Sequence, residues 1–462
     1  MSLGGRGWRR VLAACLTAAW AAVAWWGSHK ALPPGAHVAS ASSDLPAEQV
    51  TFIADITAAD GYGRAVVSQA IFGEMLELVR GAQLFVVLDY ALIGGAPRAG
   101  VPTLGAQLQD ALLARRRALP TLKVLLITDP ASNAWGTAPS AVLPLLRSAG
   151  VDVVITDSAV LRHSNPLYSG LRSLTASWSS RDHRKVLIAD DGHGGLAGIV
   201  GSANPQDDQG LWSNAALRLA GPPLEALLAS ELALARASGW RGDAALFAAG
   251  AAGAVAASAP DARLSARVQC LTEGATRAAL LERLEVASPG DAIDVATFKL
   301  ADRGIIEALL AAAARGVAVR VLLDPGEDTQ GALSGIPNQP VASELQSRSA
   351  GALQVRWYRT HGERFHASLV SIYGQDRLWF TVGSANLTRR SLRDYNLEAN
   401  VAVEVARATA LAAQLLGYFD TLWANRAALG IEYSADLAVF ADPSQVDYLL
   451  GRALEASGLS GF

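Results

Sequence analysis

The feature that most limits what this chain can become is a duplication. The tetrapeptide Gly-Ser-Ala-Asn occurs at 201–204 and again at 383–386, and each copy follows an apolar stretch with one histidine near its start, His183 in the first and His366 in the second. Residues 183–190 read His-Arg-Lys-Val-Leu-Ile-Ala-Asp, and apolar Val186, Leu187 and Ile188 mark a strand. Strand side chains alternate, so His183 and Lys185 are expected on one face. An imidazole beside an ammonium, with Ser202 and Asn204 nearby, suits an anionic tetrahedral centre. The imidazole attacks or transfers a proton while the ammonium and carboxamide hold oxygens. A lone H-x-K carries little information; H-x-K-x4-D followed by G-S-x-N carries much more.

The duplication extends beyond these peptides. Residues 64–79 have helical spacing, 84–88 read as a buried strand, 104–117 as a helix, and 123–128 as a strand ending in Asp129-Pro130. In the second half, 276–286 read as a helix and 293–298 as a strand. Asp302 is a plausible N-cap for a helix through Arg315, and 317–323 form a strand ending in Asp324-Pro325. The recurring order is a βαβ pattern, which implies parallel strands with helices on the sheet faces. The expected division is 1–30 as a signal anchor or signal peptide, 31–48 as a Pro/Ser-rich linker, 49–243 and 263–462 as two halves, and 244–262 as an Ala/Gly-rich joint.

This pair of motifs resembles the phospholipase D superfamily, in which two H-x-K-x4-D…G-S-x-N motifs meet at one active site. The resemblance covers residues 50–425 and includes the run Thr297-Phe298-Lys299-Leu300 ahead of the second motif. It implies an α/β fold of two halves related by a pseudo-twofold, with the site at their interface. It also implies phosphodiester cleavage through a phosphohistidine, with no metal and no cofactor. Carried over by position, His183 would be the nucleophile and His366 the general acid. Lys185, Asn204 and Asn386 would hold phosphoryl oxygens, Ser202 and Ser384 would support binding, and Asp190 would complete the first motif as a catalytic residue. Glu398, twelve residues after Asn386, matches a downstream acid that orients a catalytic imidazole.

Three departures qualify the resemblance. The second motif has Ser368 in place of its lysine and Tyr373 in place of its aspartate, and Ala216 stands twelve residues after Asn204 where the first copy would carry its acid. Loss of one charged donor in a dry site can cost about 10²–10³ in rate. Arg359 and Arg364, just upstream of His366, are the candidates to replace it, although a planar fork does not occupy an ammonium's position automatically.

Arg6, Arg9 and Arg10 precede sixteen uncharged, mostly apolar residues, 11–26, with Trp20, Trp25 and Trp26 where an aromatic belt would lie. The run is slightly short for a spanning helix, which needs about 20 residues. The small-residue pattern Ala39-Ser40-Ala41 lies far beyond it, so the spacing favours an uncleaved anchor over a cleaved signal, and an exported body in either case. Cys15 and Cys270 are the only cysteines, which leaves no disulfide framework or cysteine metal site; Cys270 reads as a buried small hydrophobe. The net charge of −3 includes Arg6, Arg9, Arg10 and Lys30 with no acid among the first thirty residues, so the remainder stands at −7. An acidic body lacks the footprint of a nucleic-acid binder, although Arg389, Arg390 and Arg393 could line a local basic groove. The expected protein is a monomeric, membrane-anchored phosphodiesterase acting on phospholipid. Phosphatidyl transfer, as in cardiolipin synthases, and a catalytically impaired lipid-phosphate-binding protein are the alternatives.

Overall fold

The structure is a computed structural model and describes residues 5–97, 99–134, 142–163, 180–207, 209–248, 265–326, 335–426, 430–442, 444–458 and 460. Two mixed sheets form its framework. The strands of the first are β2 (Val50–Ala59), β3 (Ala65–Ser68), β4 (Phe85–Tyr90), β5 (Lys123–Thr128), β6 (Asp152–Ile155), β7 (Lys185–Asp190), β8 (Leu196–Gly201) and β9 (Asn214–Ala220). Those of the second are β1 (Ser43–Pro46), β10 (Ser265–Thr272), β11 (Ala292–Thr297), β12 (Ala318–Leu323), β13 (Leu353–Tyr358), β14 (Ser368–Tyr373), β15 (Arg377–Gly383), β16 (Ala399–Ala406) and β17 (Ser434–Asp436).

The spatial orders are β3-β2-β9-β8-β7-β4-β5-β6 and β1-β10-β16-β15-β14-β11-β12-β13-β17. Without β3 in the first and β1 and β17 in the second, seven strands of each sheet run in matching order. The duplication in sequence is therefore a duplication of topology. Only β4-β5-β6 and β11-β12-β13 pair in parallel. The strands after the histidines form antiparallel hairpins, β7–β8 and β14–β15. The strands expected to be parallel from the βαβ pattern are so, whereas these hairpins have tight-turn connections, too short for a crossover.

Local signals account for most elements. Asp302 caps the helix Arg303–Ala314 by accepting from the Ile305 amide. The helix Ala410–Ala424 buries Leu411, Leu415 and Leu422, which recur at helical spacing along one face. The expected helix over 64–79 is instead β3 followed by the helix Ile71–Gly81. Asp60 accepts from the amides of Tyr62 and Arg64, closing a turn that returns Val66 and Val67 alongside β2.

Segment 31–48 is part of the body rather than a free linker. Ala39 bridges Leu271, and β1 adds antiparallel to β10 at the edge of the second sheet. Of the joint, residues 249–262 lie outside the described set; just before them the helix Ala245–Ala248 sets Phe247 against Phe85 and Trp240. A single apolar cluster spans both halves, joining Phe85, Val186, Ile188 and Leu217 to Val268, Cys270, Phe380 and Val401. Helix α1 (Gly5–His29) is exposed at its described residues up to Trp26, and Val11–His29 is long and apolar enough to cross a membrane.

The glycines that open the two tetrapeptides have a packing reason. A Cβ at Gly201 would collide with Ala216, and one at Gly383 with the Ala399 carbonyl and Asn400, so each hairpin closes only over a hydrogen atom. Gly201→Ala and Gly383→Ala should each destabilise by about 1–3 kcal/mol, the usual cost of overpacking. Denaturant unfolding of the purified protein checks this, and an unchanged midpoint would show that the neighbouring strand yields freely.

Candidate active site

The histidines are placed by loops that leave the parallel strands. Asp129 and Asp324 immediately follow β5 and β12. Asp129 Oδ2 accepts the Asp182 amide and Asp324 Oδ2 the Phe365 amide, each at 2.8 Å, one residue before a histidine. The chain then pairs with the opposite half. The His183 amide donates to Leu397 O at 2.9 Å, and the Leu397 amide to Arg181 O at 2.8 Å. Likewise, the His366 amide donates to Ser213 O at 2.8 Å, and the Ser213 amide to Arg364 O at 3.0 Å. These reciprocal bridges bring the two rings together at a centroid distance of 6.4 Å and an interplanar angle of 71°.

Both rings are fixed through Nδ1. His183 Nδ1 lies 2.9 and 3.0 Å from the Glu398 carboxylate oxygens. His366 Nδ1 donates to Ser202 O at 3.0 Å and faces Asn214 Oδ1 at 3.3 Å. Anchoring Nδ1 commits Nε2 of each ring to chemistry. Lys185 Nζ donates to His183 O at 2.7 Å and is almost fully buried. Burial pulls its ammonium down to about 8 and pushes the Glu398 carboxyl up to about 8, while each opposes the other's shift. Burial first, then the charges of Lys185, Arg181 and Arg390, holds His183 well below the usual histidine range. Burial, Lys185, His183 and Arg364 do the same to His366. Two neutral imidazoles in cationic surroundings suit a nucleophile and a proton carrier acting on a bound anion.

The aromatic wall beside His366 was not foreseen. Trp212 and Phe298 pack against its ring at 5.2 and 5.0 Å, and the Arg364 guanidinium lies over both, 4.8 Å from the Trp212 ring and 5.6 Å from that of Phe298. Asn204 is buried and donates to Gln209 Oε1 at 3.2 Å, whereas Asn386 is half-buried three residues beyond β15. Arg390 is buried, and burial followed by Arg181 pulls it down to about 9. Arg389 and Arg393 do not extend a basic groove: one donates to Ala456 O and the other to Asp302 Oδ2. His361 is exposed and faces Glu363.

Several residues sit differently from the sequence expectation. Asp190 ends β7, roughly 17 Å along the strand from Lys185 at about 3.3 Å per residue. Its carboxylate accepts the amides of Gln83, Leu84, Phe85 and Gly192, so it caps the start of β4 rather than joining the site. Tyr373, its counterpart, bonds Asp294 at 3.0 Å, again away from the histidines. The hydroxyls of Ser202 and Ser384 are committed to Asn214 and Glu398 instead of a substrate. Ala216 is not the counterpart of Glu398. Gly201 pairs with Ala216 and Gly383 with Asn400, so the hydrogen-bond pattern aligns Asn214 with Glu398. Asn214 lies twelve residues beyond Ser202 and Glu398 fourteen beyond Ser384, so equal spacing pointed to the wrong residue. The repeated R-x-H at Arg181 and Arg364 was a signal that spacing could have supplied.

Asp190→Ala is expected to cost about 1–3 kcal/mol, because it leaves buried amides without their acceptor. The turnover of each folded molecule should be preserved. Parallel measurement of unfolding and of kcat on the soluble fraction separates the two; a collapse of kcat at unchanged stability would return Asp190 to the site.

Among the described residues, no group of three or more His, Cys, Asp or Glu side chains could hold a metal ion. Residues 280–423 match the family model described as cardiolipin synthase, phospholipase D-like domain. No curated protein matches the chain. Among solved structures, phosphatidylserine synthase of Haemophilus influenzae Rd KW20 superposes with a TM-score of 0.58 at 12% identity, over 90% of this chain and 96% of that one. Polyphosphate kinase of Porphyromonas gingivalis gives 0.47 at 12% identity, over 89% and 53%. The phospholipase D family member Nuc of Salmonella typhimurium gives 0.29 at 19% identity, over 37% and 97%. The family match to residues 280–423 and the fold shared with the synthase agree with twin motifs meeting across a pseudo-twofold, and in both respects the chain resembles the phospholipase D superfamily.

Proposed function

We propose that the protein is a phospholipase D-type phosphodiesterase that hydrolyses phospholipids at a membrane surface. The observation that carries this reading is the pair His183 and His366, each anchored at Nδ1 by the opposite half, with ring centroids 6.4 Å apart. A phosphodiester between the rings meets an Nε2 on either side. His183 Nε2 attacks phosphorus, and an N–P bond forms as the P–O bond to the alcohol breaks. His366 passes its Nε2 proton to the departing oxygen. The negative phosphate offsets the cationic groups that otherwise keep His366 neutral, so the proton is taken up with substrate. Water then attacks the phosphohistidine, neutral His366 accepts its proton, and the N–P bond breaks to restore His183. Lys185, Asn204 and Asn386 hold the phosphoryl oxygens, and the course uses protein groups alone.

A membrane substrate is supported by the position of α1. Its end is tied to the body: His163 N donates to Gly27 O at 2.8 Å, and Arg162 Nε to Lys30 O at 2.7 Å. Arg162 also pairs with Asp394 at 2.6 Å, close in sequence to Asn396 and Glu398. A helix of this kind, tied to the body at its end and seated in a bilayer, would hold the site near lipid at high effective concentration. The arginines ahead of the apolar run support an exported body. Both half-sites lie in one chain, so a monomer suffices. Transfer of a phosphatidyl group to a second alcohol uses the same intermediate and is compatible with the description of the matching family model.

Incubation of the full-length protein with mixed phospholipid vesicles and mass spectrometry of the products should yield phosphatidate and free head group. A diphosphatidyl product would assign transfer instead, and binding without turnover would remove the enzyme reading. His183→Ala should abolish both turnover and phosphorylated protein. His366→Ala should lose about 10²–10⁴ in rate, much of it recovered with a nitrophenyl phosphodiester whose leaving group needs no proton. Phosphate trapped on His366 would reverse the roles. For topology, a carboxy-terminal reporter should be active only outside the cytoplasm, and activity confined to the cytoplasm would invert the orientation.

A further inference from the structure

The two half-sites match bond for bond until the charged groups are reached. Ser384 Oγ accepts the Ala399 amide at 3.0 Å and donates to Glu398 at 2.5 Å. Ser202 Oγ accepts the Ala215 amide at 3.1 Å and donates to Asn214 Oδ1 at 3.1 Å. Lys185 and Ser368 both open their strands, opposite Tyr90 and Thr297. The second half-site has thus lost an ammonium and a carboxylate together. Ser368 instead donates to Ala385 O at 2.5 Å. All four residues are buried, and a buried charge whose partner has been removed is strongly destabilising.

We infer that Asn214 and Ser368 are one compensated exchange, a neutral carboxamide and hydroxyl standing where the other half-site holds the Glu398 carboxylate and Lys185 ammonium, and that Asn214 is the positioning residue for His366. Ser368 is then not an isolated defect. Restoring its lysine alone buries a cation among cations, since the groups facing His366 are Lys185, His183 and Arg364, with Lys299 beyond the Phe298 ring. With no carboxylate at its Nδ1, the His366 imidazolium is a stronger acid than it would be opposite a glutamate, which suits delivery of a proton to a leaving alkoxide.

The test is a double-mutant cycle in the full-length protein with Ser368→Lys, Asn214→Glu and the pair. Each single variant should unfold more easily than wild type, and the double should recover. A coupling of at least about tenfold in the folding equilibrium is expected, within the usual range for contacting residues. Additive effects would overturn the inference. If a single variant does not fold, a soluble double variant supports the exchange, and a double no more soluble than the singles rejects it. The pH arm rests on the proposed phosphodiesterase reading, whereas the unfolding arm does not, so the two can fail separately. Asn214→Glu should move the alkaline limb of kcat/KM upward by about one to three pH units, the effect of an opposite charge on a titrating group. The limb should stay in place with a nitrophenyl phosphodiester. An unmoved limb with the natural leaving group would reject Asn214 as the positioning residue, and asparagine to glutamine at 214 should keep the wild-type limb.

Discussion

Each histidine of the pair is held by the half of the chain that does not carry it. The His183 amide and Nδ1 are bound by Leu397 and Glu398, and those of His366 by Ser213 and Ser202. Neither half can therefore set the geometry of its own imidazole. The rings reach their mutual distance only when two sheets with matching strand order close on each other, which the apolar cluster shared by both halves enforces. Burial that drives this closure also removes water from the histidines, Lys185 and Glu398. Packing and the electrostatic character of the site thus have one cause.

Behind the site, the same closure encloses a charged cluster. Arg184, fully buried, reaches Glu231 at 3.2 Å and Glu273 at 2.7 Å, and donates to Ser230 Oγ and Ala36 O. Asp182, on the other side of His183, accepts from Thr156 Oγ1 at 2.6 Å, and burial pushes it up to about 7. The cluster draws on the first half, the second half and the segment that follows α1. A buried ion pair of this kind contributes little net stability when intact, yet removal of one member costs about 3–5 kcal/mol. It therefore disfavours arrangements in which the halves or the segment are displaced. The segment that follows α1 is held by this cluster and by β1, and α1 ends on the first half beside Arg162.

Much of this was legible in the residues. The repeat of His183 and His366 ahead of identical tetrapeptides implied two like halves and one shared site, and Asp129-Pro130 and Asp324-Pro325 marked corresponding strand ends. Asp302 as a cap and Leu411, Leu415 and Leu422 as a buried face followed from local rules, because capping and helical periodicity act within a few residues. The failures share a different origin. Asp190 looked catalytic because it belongs to a motif, but the motif is a strand long, and its last residue lies at the opposite end from its first. Asn214 was missed because the segment after the first tetrapeptide is two residues shorter than the one after the second, so equal spacing landed on Ala216.

The sequence by itself determined the duplication, the family resemblance, the two histidines and the single intact H-x-K, since these depend only on residue identity and order. It also determined that the second motif lacks its lysine. The tertiary structure decided which groups face which ring. Glu398 against His183, Asn214 against His366, and the aromatic wall of Trp212 and Phe298 all join residues distant in sequence. It likewise decided that Ser202 and Ser384 brace those partners and that Asp190 caps the amides at the start of β4, the strand beside its own. The physical reason is that hydrogen bonding and desolvation act over a few ångströms of space, and only the closing of the two halves brings those groups within that range.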